Sequence, residues 1–171
     1  ARGRIVLFGG WNGSEAFADT WEWNGADWSP KTTTSAPVAR MRFAMAYDTV
    51  HSKVIVFGGD TLAQEQLSDT WEWDGTSWTQ GASKAGMFAR SRAAMAFDGL
   101  RGRAVLFGGS VQATYILADT WEWDGSAWKL AASATVPPAR ERHAMVYDSK
   151  RERIVLFGGD VSGRQAADQW E

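Results

Sequence analysis

An all-β protein built from repeated four-stranded antiparallel sheets is the fold class this sequence predicts. Three observations carry that prediction: a tripeptide that returns about every fifty residues, aromatic strands without helical periodicity, and hairpin dipeptides at fixed places in each period. Phe-Gly-Gly recurs at Phe8-Gly9-Gly10, Phe57-Gly58-Gly59, Phe107-Gly108-Gly109 and Phe157-Gly158-Gly159, in steps of 49, 50 and 50. Asp-Thr-Trp-Glu-Trp follows at 19–23, 69–73 and 119–123, and a last copy begins as Asp168-Gln169-Trp170-Glu171. Ala-Arg-x-Arg stands at 39–42, 89–92 and 139–142.

Within one period the pattern reads as strands a, b, c and d. Residues 93–98 form a mostly apolar run, and residues 104–107 a continuous apolar one with β-branched and aromatic character, as expected of inner strands buried on two faces. Residues 120–123 alternate, so Trp121 and Trp123 project to one face and Glu122 to the other. Asp124-Gly125 tolerates positive φ and predicts a hairpin into a fourth strand around Trp128, a device repeated at Asn24-Gly25 and Asp74-Gly75. Such a sheet cannot bury both faces alone. Radial stacking of neighbours is the β-propeller solution, and Trp121, Trp123 and Trp128 are expected between sheets, each burying on the order of 150–250 Å². The 11 Trp residues are therefore read as structural where they repeat.

An apolar strand ending in Gly-Gly, a variable loop, an Asp-x-Trp-x-aromatic strand and a later single Trp resemble the kelch repeat family, in wording closest to its bacterial branch. The resemblance spans essentially the whole chain and implies a kelch-type β-propeller with strand a innermost, and with ligands on the face formed by the loops between strands b and c and the links between units. The expected organisation is one partial propeller over 1–171, about 3.5 blades in segments 1–30, 39–80, 89–130 and 139–171, ordered b-c-d, a-b-c-d, a-b-c-d, a-b-c. Family rings usually hold six or seven blades, so the expectation is a piece of a longer protein; the alternative is an assembly through open strand edges.

Composition narrows the partners. With 44% apolar and 22% charged residues the chain has the makeup of a globular domain, and its net charge of -2 without basic runs argues against nucleic acid. The longest apolar runs, such as Ile5-Val6-Leu7-Phe8, fall far short of the roughly 20 residues of a membrane span. With no cysteine there is no disulfide, thiolate ligand or thiol nucleophile, while the compartment stays open. No metal or other cofactor is implied: His51 and His143 show no ligand spacing, and His143 takes the place of Phe43 and Ala93 beside the inner strand, where a structural role is expected.

The candidate ligand-binding residues are Arg40, Arg42, Arg90, Ser91, Arg92, Arg140 and Arg142 in the turns entering strand a, together with Trp11 and Tyr115 in the loops after Gly-Gly. Guanidinium forks suit carboxylates, and the resemblance implies that arginines and serines of this turn hold acidic peptides; Met41 and Glu141 depart from that type. The competing reading has one Arg of each pair bonding carbonyls or an acid such as Asp48, Asp98 or Asp148. The repeated Asp19, Asp69, Asp119 and Asp168 are read as turn caps acting through their own backbone. Near-identical turns present a quasi-symmetric rim, whereas catalysis needs different residues in different roles, so a binding scaffold for a protein, acidic peptide or glycan is expected. The alternatives are the non-catalytic part of a kelch-propeller enzyme and a self-assembling piece. Galactose oxidase chemistry, which needs a Tyr joined to Cys, has no Cys here.

Overall fold

Each period folds into consecutive antiparallel hairpins, as its alternation and turn chemistry require. The structure, a computed structural model, describes residues 3–84 and 86–171; Ala1 and Arg2, which open the expected segment 1–30, and Ala85 lie outside the described residues. The first sheet holds β1 (Ile5–Trp11), β2 (Ala16–Trp23) and β3 (Trp28–Lys31). The second holds β4 (Ala44–Asp48), β5 (Lys53–Phe57), β6 (Thr70–Trp73) and β7 (Trp78–Gln80), side by side in chain order. In the third period, β8 (Ala94–Asp98) and β9 (Arg103–Phe107) are followed by a two-stranded ribbon, β10 (Ser110–Val111) and β11 (Tyr115–Ile116), before β12 (Thr120–Trp123) and β13 (Trp128–Leu130) complete a four-stranded sheet. The fourth sheet joins β14 (Ala144–Asp148), β15 (Arg153–Phe157) and β18 (Gln169–Trp170), with β16 (Asp160–Val161) and β17 (Arg164–Gln165) forming a second ribbon. All strand pairs are antiparallel, and no helix occurs among the described residues. The two ribbons are additions to the expected strands; they arise where the post-Gly-Gly loops fold back on themselves.

Turn chemistry fixes the registers. Asp124 Oδ1 accepts the amides of Ser126 and Ala127 at 3.0 and 2.9 Å, closing the β12–β13 hairpin so that Trp123 pairs with Trp128. Asn24 and Asp74 act the same way in their own turns. Asp98 Oδ1 accepts from the amides of Leu100 and Arg101, and Asp48 and Asp148 repeat this cap.

Two hydrophobic clusters lie between sheets. Val54, Val56, Trp73 and Trp78 pack on Phe8 between the first and second, and Ile55, Phe57, Leu106, Trp123 and Trp128 pack between the second and third. The buried indoles also bond across these interfaces: Trp73 donates to Glu22 Oε1 and Trp78 to Thr20 Oγ1, and Trp123 and Trp128 repeat this on Glu72 and Thr70. The alternation in Thr-Trp-Glu-Trp thus gives each sheet a donor face of indoles and an acceptor face of Thr and Glu. Trp121, Trp123 and Trp128 are buried, as their repetition predicts.

Candidate functional site

The site grows from the Ala-Arg-x-Arg turn, where the two arginines of each pair have opposite fates. Arg40, Arg90 and Arg140 are fully buried. Arg90 donates Nη1 and Nη2 to the two carboxylate oxygens of Asp119 at 2.6 and 2.8 Å, and Nη1 also to the Gly108 carbonyl at 3.1 Å. Arg40 grips Asp69 and Gly58, and Arg140 grips Asp168 and Gly158, in the same way. Their backbones belong to the neighbouring sheet's loop, since Gly59 N donates to Arg90 O and Arg90 N to Leu67 O. Each first arginine therefore rivets one sheet to the next and has no surface for a ligand. The acid that holds it is the one before Trp, not Asp48, Asp98 or Asp148, whose Oδ1 atoms cap the following turn. Asp69, Asp119 and Asp168 consequently do more than tie their own turns: each also accepts the indole N–H two residues on, as in Trp121 to Asp119 at 2.6 Å. Burial pushes the Asp69 and Asp119 carboxyls up, but the arginine and indole hydrogen bonds outweigh it and hold both below the ordinary value.

Arg42, Arg92 and Arg142 turn toward the loop side. All three have left-handed backbones, with φ of 58°, 59° and 60°, a conformation uncommon outside glycine. It is maintained by a relay between units: Arg92 N donates to Arg42 O at 2.7 Å and Arg142 N to Arg92 O at 2.9 Å. The relay brings the three guanidinium groups along one row, where each meets a carboxylate. Arg42 Nη1 lies 3.2 Å from Asp60 Oδ2, Arg92 Nη1 3.1 Å from Glu141 Oε2, and Arg142 Nε 3.3 Å from Glu141 Oε1. Burial raises the Glu141 carboxyl while Ser110 and the arginines lower it, with a net downward shift.

Above this row lies a groove of about 450 Å³, within the usual range for ligand sites. Arg42, Arg92 and Ser91 form its floor, Trp11 and Leu62 its apolar wall, and Asp60, Gln64, Gln66 and Gln112 its polar rim. Gln66 ties two loops together, donating to Ser91 Oγ at 3.2 Å and Ser110 O at 3.1 Å and accepting from Gln112 N at 2.7 Å. The Nε of Arg92 is buried beside the groove without a hydrogen-bond partner among the described residues.

Of the candidate residues, the groove brings together Trp11, Arg42, Ser91 and Arg92. Arg142 lies one unit further along the row, and Tyr115 is exposed on β11 away from the lining. Asp60, Gln66 and Gln112 had no signal of their own, being single residues in variable loops. His143 is buried in the place expected of it: its ring stands edge-on to Phe107 at 5.6 Å, as Phe43 stands against Phe8 at 5.7 Å. Burial, then the Arg140 charge, pushes its pKa down to about 4. His51 is exposed, with Nδ1 2.8 Å from Asp48 Oδ2. Among the described residues no group of three His, Cys, Asp or Glu side chains is arranged to hold a metal.

No protein-family model matches this chain, and no curated protein matches it.

Proposed function

We propose that this chain is a partial kelch-type β-propeller that serves as a binding scaffold, holding a protein segment or glycan in the groove above Arg42 and Arg92. The observation that carries this reading is the contrast between frame and loops. Arg40, Arg90 and Arg140 repeat one buried geometry, while the segments after Gly-Gly supply a different wall and rim at each unit. Variable loops on a rigid repeated frame are where recognition is usually placed. The propeller reading is supported by the backbone relay linking successive strand-a turns and by the Leu100 amide donating to Tyr147 Oη at 3.2 Å, contacts that hold neighbouring units together beside their a strands.

The ion pairs refine the ligand class. Arg42 and Arg92 already face Asp60 and Glu141, so an acidic ligand has to displace a carboxylate of the chain itself. A ligand with both donors and acceptors, such as a peptide backbone or a sugar hydroxyl pair, adds to the network without breaking it, and half-exposed Trp11 offers a stacking surface.

Glycan and peptide arrays probed with the chain test this. Binding that falls at least tenfold in Trp11→Ala and in Arg42→Ala, and that survives 0.5 M salt, is the expected result, since truncating a central aromatic contact typically costs about 2 kcal/mol. Binding indifferent to both substitutions overturns the groove. Binding abolished by salt indicates the acidic ligand instead.

A further inference from the structure

Arg42 and Arg92 enter the groove with their charges already met by Asp60 and Glu141, whose side chains are only 9% and 10% exposed. The two arginines differ in what they leave for a ligand. The Arg92 side chain is 14% exposed, whereas that of Arg42 is 43% exposed and makes a single side-chain hydrogen bond among the described residues, so the rest of its five N–H donors stay open. Gln66 is committed to Ser91, Ser110 and Gln112. The groove is thus charge-neutral and richer in open donors than in open acceptors.

Its walls are apolar at their tips and closed by local hydrogen bonds. Trp11 and Leu62 are 50% and 54% exposed. The loop that carries Leu62 is tied by Thr61 N to Glu65 O at 2.9 Å, Gln64 N to Thr61 O at 3.0 Å and Glu65 N to Thr61 Oγ1 at 3.2 Å. Opposite it, Gln112 and Ala113 both have left-handed backbones, with φ of 51° and 54°, the geometry of a tight hairpin turn between β10 and β11. The lining runs from Trp11 in the first period through 60–66 in the second to Gln112 and Ala113 in the third, which is the course of an elongated ligand.

We infer, on the reading that this groove is the binding site, that its ligand is an uncharged, proline-rich segment of extended chain. A sugar hydroxyl both donates and accepts, so each one set against Arg42 still needs an acceptor of its own, and the nearest carboxylates are engaged. A peptide carbonyl only accepts, and in proline no N–H accompanies it. The extended polyproline helix leaves its carbonyls without internal partners, free to meet the Arg42 fork and the Gln64 and Gln112 amides, while its rings pack on Trp11 and Leu62. Both partners are ordered before they meet, which lowers the entropy lost on binding.

Fluorescence anisotropy with labelled, acetylated and amidated peptides of about ten uncharged residues, proline standing once in every turn of that helix, tests the inference on the 171-residue chain. Matched peptides with alanine in those places, and maltotetraose as a neutral oligosaccharide, are the comparison probes. The proline set is expected to bind at least tenfold tighter than the alanine set and to hold in high salt. Trp11→Ala should weaken it at least tenfold and Leu62→Ser, on a separate loop, at least fivefold, each with an unaltered far-UV circular dichroism spectrum. Equal binding of the two peptide sets, or preference for the sugar, with that binding still lost in Trp11→Ala, overturns the ligand class and leaves the groove as the site. Binding indifferent to both substitutions, or no binding of any probe, overturns the ligand class and the groove together.

Discussion

Arg90 loses all contact with water, so its guanidinium must recover its hydration in hydrogen bonds, and it does so on Asp119, Gly108 and the Phe88 carbonyl. Removing one partner of such a pair leaves the other without compensation, so Arg90→Met is expected to lower stability by about 3 kcal/mol, read from the urea midpoint. Arg42→Ala, whose side chain is 43% exposed in its pair with Asp60, should cost under about 1 kcal/mol. The same pairs make the fold acid-sensitive. Because folding depresses the Asp69 and Asp119 carboxyls, the unfolded chain takes up their protons first as pH falls. The stability they contribute is complete above pH about 4 and is lost as pH drops through the folded values. His143 adds a second acid effect. Its folded pKa of about 4 lies below the unfolded value near 6.5, so its neutral form favours folding fully above pH 6.5 and loses roughly 3 kcal/mol of that advantage by pH 4. Neither ring nitrogen has a hydrogen-bond partner among the described residues, and Phe43 already occupies the equivalent place. His143→Phe should therefore raise the thermal midpoint at pH 7 and remove the slope of stability between pH 6.5 and 4. A variant that keeps the slope would show that another group titrates there. At this scale the sequence located the arginines but could not divide them: both members of a pair are Arg, and only the strand order brings the Asp that lies 28 or 29 residues on to the first of them.

At the scale of strands and turns the sequence was informative, because each unit is specified by local chemistry. The expected strands at 93–98, 104–107 and 120–123 appear as β8, β9 and β12 with shifts of one residue at most, since alternation and the Asp-Gly hairpin leave little choice of register. The ribbons β10–β11 and β16–β17 were not legible, being held by two residue pairs each and by loops of different sequence. Nor was the groove, which depends on loops from three periods meeting over two successive turns. The Gly-Gly pair shows why the Phe-Gly-Gly signature repeats so strictly. Gly109 has φ of 88°, and a Cβ there would lie 2.6 Å from the Ser91 carbonyl oxygen and 2.8 Å from Ala93 Cβ. Gly125 also has positive φ, at 90°, but only the His51 ring lies near. Gly109→Ala is thus expected to destabilise by about 3 kcal/mol, because strain and backbone collision add, while Gly125→Ala costs only the ~1–2 kcal/mol of the conformation itself. Denaturant unfolding of the two variants side by side measures the difference, and equal losses would place the whole cost in φ.

Across the whole molecule, stability is set by what lies between neighbouring sheets, as in other repeat architectures. The first and second sheets share one closed cluster, and the second and third share the larger one. The third and fourth share Ala96, Val105, Phe107, His143 and Leu156 beside a cleft of about 380 Å³ lined by Thr120, Glu122 and Trp170, in which no indole meets Thr120 or Glu122 among the described residues. Lost packing on one side of a cavity forfeits dispersion as well as burial. Local opening should therefore begin at the fourth sheet, with β14, β15 and β18 exchanging their amide hydrogens first. β1 should follow, because its outward residues are uncovered, and β5 and β9 should exchange only through global unfolding. Hydrogen exchange followed by mass spectrometry reads this order directly. Uniform protection across all four sheets would instead mean that the interfaces are energetically equal and that the cleft beside Trp170 costs the fold little.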